Sequence, residues 1–343
     1  MDNQIIYCFQ NKINSFNSEF LKKVSIKGSI KNYFYTTIVC KTALIFTSDK
    51  KEDLIKMKIY YEEKSIKDFI GPVILIDLSK EVEESNIFWI DKRNNLLKGV
   101  NNNKDIVYKY GNSLIKVDNK GHIIDVYYDK DINRDGLLLF LIKIIEGAII
   151  EQHIKLGLFP IHASMISYKK ENYLILGNSQ CGKTSLMNLF NKKDKEYKCI
   201  SDDIVFMDIY GKAYPFGQYE KNMANSNKNN SYEEKYEGIV RSVKRINNIY
   251  NAEGLTVNMI FLPGIKDIEK AEVTEVKDAV NEFLDLVSVY PNDYFIKSDF
   301  NYSQAVLIVD SLMKSQVFRI DMAYGKNNDE VVDTWMDIIK ETL

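Results

Sequence analysis

The feature that most constrains the fold is a glycine-framed loop that directly follows a short apolar segment. Its residues, Gly177-Asn178-Ser179-Gln180-Cys181-Gly182-Lys183-Thr184, fit the pattern G-x-x-x-x-G-K-[ST]. The apolar residues 173–176 precede the loop, and residues 185–190 continue it with a helix-forming pattern. A strand, a glycine loop and a helix in this order predict an α/β unit with a tightly curled connection.

A loop of this kind directs its backbone N–H groups and a helix N-terminus at phosphate oxygens. We expect Lys183 to reach the β- and γ-phosphates of a nucleotide, and the Thr184 hydroxyl to bind Mg²⁺. The sequence therefore predicts ATP and Mg²⁺ as cofactors, with a simple glycine turn as the alternative. The residues expected to bind the nucleotide are Gly177, Asn178, Ser179, Gln180, Cys181, Gly182, Lys183, Thr184 and Ser185.

Two adjacent carboxylates, Asp202 and Asp203, interrupt an apolar segment that predicts a strand over residues 198–208. Burying anions is costly unless a cation lies nearby, and Mg²⁺ beside a nucleotide supplies that cation. Neighbouring residues on a strand point to opposite faces, so we expect the two acids to have different tasks unless a bulge or turn intervenes. A strand-end turn with two solvated aspartates is the alternative.

Other candidate residues flank these two features. His162 lies just before the strand pair that leads to the loop, and a lone histidine there is typical of a packed structural residue. The polar residues 220–237 predict a mobile loop, either a lid or a solvated insertion. Arg241 and Arg245, with Lys244, are candidates to place positive charge over the phosphates, or else a solvated helix face.

Taken together, these features resemble the HPr kinase/phosphorylase-like family, whose nucleotide fold is shared with phosphoenolpyruvate carboxykinases. The resemblance covers residues 157–335 and is carried by His162-Ala163-Ser164, the loop 177–184, Ser201-Asp202-Asp203, residues 259–263 and 317–320, and Tyr324-Gly325. It implies a P-loop nucleotide domain of the HPr kinase C-terminal type. It also implies ATP-dependent phosphorylation of a serine or threonine hydroxyl.

The resemblance further implies a role for each site residue. Asp202 would act as general base toward the acceptor, and Asp203 would hold Mg²⁺ together with Thr184. Lys183 would stabilise charge on the transferring phosphoryl group, and His162 would lie near the phosphate or the acceptor. Such catalysis consists mostly of positioning and charge neutralisation.

The expected acceptor is a peptide or protein. Gln180 and Cys181 occupy the loop centre where HPr kinases proper carry GxSGxGKS, and the longer C-terminal signature of those enzymes is missing. In this respect the chain is more similar to peptide-tailoring kinases of ribosomally made peptides, lasso peptides among them. Two other hypotheses stay open, a nucleotide-dependent switch or assembly ATPase without a phosphoacceptor, and a small-molecule kinase.

The predicted fold class is α/β in the nucleotide domain and α+β overall. Residues 1–130 form a predicted β-rich N-terminal domain, and residues 131–343 form the ATP-binding domain with a connecting helix over 134–156. Strand signals in the first domain lie at 34–46, 69–77, 87–90, 105–110, 113–117 and 122–128. This domain either covers the nucleotide domain or binds the acceptor through an exposed strand edge.

Composition limits the kinds of partner and the cell compartment that we expect for this protein. The chain carries 46 basic and 48 acidic residues for a net charge of −2, so we expect neither nucleic acid nor a membrane as partner. Four scattered cysteines are typical of a reducing compartment, and the sequence opens without a signal-peptide pattern, which together predict a cytoplasmic protein. The apolar residues 137–150 include Lys143 and Glu146 and predict a buried helix. Whether the protein forms a homo-oligomer is left open.

Overall fold

The chain divides into two compact units. The first comprises residues 1–152 with 294–296, and the second comprises residues 153–293 and 297–343. The computed structural model describes residues 33–61, 71–78, 86–93, 96–127, 134–178, 180–194, 196–216, 219–223, 231–236, 239–245, 253–288, 302–325 and 328–342. Mixed helices and several sheets agree with the predicted α+β class. The division predicted at residues 130 and 131 stays a prediction.

The first unit is built around one eight-stranded sheet. Its strand order is β1-β2-β3-β8-β7-β6-β5-β4. Its elements are β1 (Tyr33–Val39), β2 (Thr42–Ser48), α1 (Lys51–Tyr60), β3 (Val73–Asp77), β4 (Ile87–Arg93), β5 (Leu96–Asn101), β6 (Ile106–Tyr110), β7 (Ser113–Val117) and β8 (Ile123–Tyr127).

The antiparallel series predicted over residues 105–128 is confirmed, because β6, β7 and β8 pair in sequence. The strand predicted over 34–46 is instead two strands joined at Cys40 and Lys41, and Cys40 has a positive φ of 52°. The helix α1 and the strand β5 were missed, since both segments are short and carry weak periodicity.

The predicted connecting helix is confirmed as α2 (Arg134–Lys155), which crosses the division between the units. Its residues 141–142, 144–145 and 148–150 are buried, as expected for a core helix. No helix in the described part of the chain is long and apolar enough to cross a membrane.

The second unit combines a six-stranded sheet with two smaller sheets. The strand orders are β12-β10-β11-β19-β21-β20, β18-β14-β13-β9 and β15-β17-β16. The strands are β9 (Phe159–Ile161), β10 (Ala163–Tyr168), β11 (Glu171–Leu176), β12 (Lys198–Ser201), β13 (Val205–Met207), β14 (Lys212–Pro215), β15 (Tyr219–Met223), β16 (Ser231–Tyr236), β17 (Ile239–Arg245), β18 (Leu255–Thr256), β19 (Met259–Lys266), β20 (Glu272–Glu275) and β21 (Gln316–Ala323).

Helices cover both faces of the six-stranded sheet. They are α3 (Lys183–Lys193), α4 (Val280–Ser288), α5 (Tyr302–Leu312) and α6 (Asp329–Thr342). Alternation along β11 separates two cores: Leu174 and Leu176 pack with residues of α4 and α5, whereas Tyr173 and Ile175 pack with residues of α3 and α6. A strand buried on both faces reads as a continuous apolar run, which is why residues 173–176 carried a clear signal.

The strand β19 continues through Pro263 to Lys266. Proline lacks a backbone N–H and interrupts strands that pair on both sides. Pairing of β19 with β11 ends at Phe261, and only the pairing with β21 continues from there to Lys266. Pro263 therefore lies where β19 has one partner among the described strands, so the proline is tolerated.

The polar segment predicted as a mobile loop over 220–237 is in large part a small antiparallel sheet. Strands β15 and β16 both pair with β17, with Glu220 and Ser231 opposite Lys244, and with Glu234 opposite Arg241. The helix face considered for Arg241, Lys244 and Arg245 is therefore wrong, because all three lie in β17. Backbone pairing outweighed the low strand propensity of Glu, Lys and Asn.

The aromatic core between the sheet and α6 gives a direct test of this packing. Trp335 is fully buried and stacks on Phe190 at 4.0 Å between ring centroids, with an edge contact to Phe261 at 4.8 Å. We expect Trp335→Ala to lower the free energy of unfolding by about 3–5 kcal/mol.

Urea unfolding followed by circular dichroism measures this loss. The matched control is Trp89→Ala, since Trp89 is exposed on β4 and its removal should cost less than about 1 kcal/mol. Equal losses for the two variants would contradict the position of Trp335.

Candidate functional site

The glycine loop lies between the carboxyl end of β11 and the N-terminus of α3. Gly182 is the N-terminal cap residue of α3 and has a φ of 105°, a conformation that residues with a side chain rarely adopt. An added Cβ at Gly177 would lie 2.5 Å from Cys181 Sγ, and one at Gly182 would collide with Met322 Cε. A side chain at Gly182 would therefore have to adopt an unfavourable φ, and one at either glycine would require the end of a neighbouring side chain to move.

Lys183 folds back over this loop. Its ammonium Nζ donates hydrogen bonds to the carbonyl oxygens of Gly177, at 2.8 Å, and Asn178, at 3.0 Å. The side chain is buried, and this desolvation lowers the pKa of Lys183, while the acidic side chains of the neighbouring Cys181, Asp203 and Asp202 act in the opposite direction. A buried ammonium among loop carbonyls is suited to meet an anion there.

The two acids lie in a turn and not on a continuous strand. The strand predicted over 198–208 is broken after Ser201, and its halves, β12 and β13, belong to different sheets. Ile204 N donates to Asp202 O at 3.0 Å, and Asp203 has a φ of 70°. The two acids are therefore not placed on opposite faces of one strand, and that prediction is wrong. The exception named with it, a turn between the two acids, is what the structure has.

Hydrogen bonds from Ser201 hold this turn in place. Ser201 Oγ donates to Ile204 O at 2.6 Å and accepts from Phe216 N at 3.0 Å. Both ends of the turn are thereby tied to the first residue after β14. Because every partner here is buried, losing one of these bonds would leave a polar atom without water.

Burial distinguishes Asp202 from Asp203. Asp202 is only 9% exposed, and its Oδ1 accepts hydrogen bonds from Ser164 Oγ at 2.9 Å and from Asp203 N at 3.1 Å. Asp203 is half-buried. The alternative of two solvated aspartates is therefore wrong for Asp202, whose carboxylate is oriented by two donors.

Ser164 was not among the predicted site residues, although it belongs to the His162-Ala163-Ser164 step. It is fully buried on β10, so its hydroxyl requires a partner, and Asp202 is that partner. A hydroxyl residue among the otherwise apolar residues 163–166 is a signal that could have identified it.

Sheet topology brings the glycine loop and the two acids to one edge of the six-stranded sheet, the edge at which β11 and β12 end. Ala163 on β10 pairs with Leu176, the last residue of β11, and Met165 on β10 pairs with Ser201, the last residue of β12. The residues that follow these two strand ends are the loop and the acid turn. The charges of Asp203 and Asp202 act on Lys183, which agrees with this proximity.

The other predicted residues lie in varied positions. His162 is half-buried between β9 and β10, next to the same edge, and Thr184 is half-buried in the first turn of α3. Asn178, Gln180 and Ser185 are exposed. Ser179 lies outside the described residues, as do the side chains of Arg241 and Arg245.

The donor set at this edge fits a magnesium ion beside a nucleotide. Mg²⁺ prefers oxygen ligands and is usually held by one or two protein groups, with phosphate oxygens and waters completing its shell. Thr184 and Asp203 supply a hydroxyl and a carboxylate of this kind. Among the described residues, no three His, Cys, Asp or Glu side chains form a group that would hold a metal without such help.

Comparison with known proteins gives a distant likeness. No protein-family model and no curated protein matches the chain. The solved structure of the Hpr(Ser) kinase/phosphatase from Coxiella burnetii aligns with 53% of this chain and 91% of its own, at 12% sequence identity and a TM-score of 0.25. Values this low carry no argument about the site, so its chemistry rests on the residues described above and the family resemblance stays a hypothesis.

The contact between Gly182 and the strand ends can be tested by adding a methyl group. Gly182→Ala would combine an unfavourable φ with a collision against Met322, so we expect it to lower the free energy of unfolding by about 2–4 kcal/mol. Chemical denaturation of the purified protein measures this change.

Gly157→Ala is the matched control. Gly157 has a φ of 77°, and an added Cβ there would meet no atom within 4 Å, so its cost should be about 1 kcal/mol from the backbone alone. A Gly182→Ala protein as stable as the Gly157→Ala protein would contradict the packing of the loop against the sheet.

Proposed function

We propose that this chain is an ATP-dependent, magnesium-dependent kinase that phosphorylates a serine or threonine hydroxyl on a peptide or protein. The observation that supports this most is the convergence of three groups at one sheet edge: the phosphate-type loop with Lys183, the oriented carboxylate of Asp202, and Asp203 beside it. A loop alone fits many nucleotide-binding proteins. The buried acid beside the loop favours transfer to an acceptor hydroxyl.

The loop would bind the phosphates of ATP through its backbone N–H groups and the N-terminus of α3. Lys183 would exchange its bonds to the carbonyls of Gly177 and Asn178 for bonds to the β- and γ-phosphates. Its burial supports this role, because a desolvated cation interacts more strongly with an anion than a solvated one does. The loss of hydration that lowers the pKa of Lys183 is thus offset when phosphate is bound.

Asp203 and Thr184 would hold Mg²⁺. Asp203 is the more exposed of the two acids, which supports assigning the metal to it. When bound, Mg²⁺ supplies neutralisation of the negative charge on the β- and γ-phosphates.

Asp202 would act as the general base. Ser164 Oγ and Asp203 N both donate to its Oδ1, which fixes the orientation of the carboxylate. The acceptor hydroxyl would pass its proton to Asp202 while its oxygen bonds to the γ-phosphorus. The bond from the γ-phosphorus to the bridging oxygen breaks, and ADP leaves.

The proposal of a peptide or protein acceptor rests on the sequence resemblance. Recognition of this acceptor by the first unit is part of the same proposal. Strand β4 is the last in the order of the eight-stranded sheet among the described residues, and Phe88, Trp89 and Ile90 on it are exposed. An edge strand with apolar side chains is compatible with adding an extended peptide by main-chain pairing.

Lys183→Ala should abolish phosphoryl transfer, since it removes the cation from the centre of the loop. Incubation with ATP, Mg²⁺ and candidate peptides, read by mass spectrometry, measures the transfer. Lys192→Ala is the matched control, because Lys192 lies on the same helix with an exposed side chain and should keep wild-type turnover. A folded Lys183→Ala protein with near-normal turnover would refute the site.

Asp202→Asn and Asp203→Asn should each reduce turnover at least about 100-fold, for different reasons. Raising Mg²⁺ should partly restore Asp203→Asn, because excess metal compensates for a weakened ligand set, and should leave Asp202→Asn inactive. Turnover against Mg²⁺ concentration measures the difference.

Asp310→Asn controls for loss of a surface carboxylate, since Asp310 is exposed on α5 and should have no effect. Rescue of Asp202→Asn by Mg²⁺, with none for Asp203→Asn, would reverse the two roles. Full activity in both variants would remove the acids from the mechanism.

A further inference from the structure

Two exposed apolar side chains lie at the carboxyl ends of β19 and β21, where the six-stranded sheet meets the glycine loop. Ile265 is 45% exposed and Tyr324 is 75% exposed. The rest of these strand ends is well covered, as Met322 is only 3% exposed. Tyr324 N donates to Lys266 O at 2.9 Å, which extends the pairing of β19 and β21 to the position of the tyrosine.

This apolar surface is continuous with the loop. An ideal Cβ at Gly182 would lie 3.3 Å from Ile265 Cγ1 and 3.5 Å from Ile265 Cδ1, and it would also collide with Met322 Cε. The side chains of Ile265 and Met322 therefore touch Gly182, the N-terminal cap residue of α3. A ligand with phosphates on the loop would have this surface directly beside it.

Strand alternation places this surface on the same side of the sheet as α3. Phe261 on β19 packs in the core with α3, and Ile265 follows it by four residues, which is the same face. Ile320 and Met322 on β21 belong to that core as well, and Tyr324 follows at the same spacing of two.

The strand order shows on which side of the glycine loop this surface lies relative to Asp202 and Asp203. In the sequence β12-β10-β11-β19-β21, the loop follows β11 in the middle. The acid turn follows β12 on one side, and Ile265 and Tyr324 end the strands on the other side. A nucleotide whose terminal phosphate faces the acids would therefore direct its opposite end toward Ile265 and Tyr324.

We propose that the exposed side chains of Ile265 and Tyr324, supported by the buried Met322, form the platform on which the nucleobase of the bound nucleoside triphosphate lies. This inference rests on the proposed nucleotide site and adds to it the position of the base. A planar, largely apolar ring matches an aliphatic floor with an exposed aromatic side chain, and stacking on an aromatic ring is tolerant of base identity. The platform therefore contributes affinity for a base of any kind, with the purine of ATP as the proposed occupant.

Binding measurements with one ligand that carries a nucleobase and one that lacks it distinguish the contribution of this platform from that of the phosphate loop. The probes are ATP and inorganic tripolyphosphate, titrated calorimetrically into the full chain in the presence of Mg²⁺. Tyr324→Ala should raise the Kd for ATP about 10-fold, and Ile265→Ser should raise it about threefold. Tyr324→Phe should bind ATP like the wild type, and every platform variant should bind tripolyphosphate within about twofold of wild type.

Tyr210→Ala is the matched control. Tyr210 is 83% exposed in the turn between β13 and β14, which lies at the end of β13 away from the acid turn, so ATP binding should not change.

An unchanged Kd for ATP in Tyr324→Ala, with wild-type protein binding both probes, would overturn the platform and leave the phosphate site intact. Equal weakening of ATP and tripolyphosphate would also overturn it, because the loop itself would then be damaged. Wild-type protein that binds neither probe would contradict the proposed function, and the platform with it.

Discussion

The site depends on the immobilisation of β11, the strand that delivers the glycine loop. β11 pairs with β10 on one side and β19 on the other, and its side chains are buried in a separate core on each face of the sheet. A strand fixed in this way cannot shift its register without exposing one whole set of apolar side chains. Gly177 therefore starts the loop at a fixed point, and Gly182 ends it in a conformation that residues with a side chain rarely adopt.

Charge balance at the sheet edge follows from this geometry. A buried lysine and a buried aspartate would each be costly alone, and here they lie close enough to influence one another. Ser164 and the backbone of Asp203 satisfy the carboxylate of Asp202, while the loop carbonyls satisfy the ammonium of Lys183. Each charged group thus has hydrogen-bond partners of its own. An arrangement of this kind leaves both groups positioned for a charged ligand, at a cost in stability that the surrounding core offsets.

Three elements around the site could be predicted from local signals. The strand before the loop, the helix after it and the buried helix α2 each carry a strong pattern over several residues. The turn at Asp202 stayed an open alternative, because the apolar residues on both sides of the acids predict a strand whether the two halves share a sheet or not. The sheet of β15, β16 and β17 was also missed, since its strands are polar and their stability comes from pairing. The contact between Ser164 and Asp202 joins residues 38 positions apart, which no local pattern reports.

Hydrogen exchange of the full chain with and without ATP and Mg²⁺ tests the central claim most directly, because it reports on the loop and the acid turn in one experiment. Binding at the proposed site should slow exchange in peptides that cover residues 177–186 and 201–205, since their amides would lie against phosphate or become less accessible. Peptides from α1 on the first unit serve as an internal reference and should not change. Slowed exchange at both segments is the result that this account predicts. Unchanged exchange at both, at an ATP concentration that saturates binding, would contradict it.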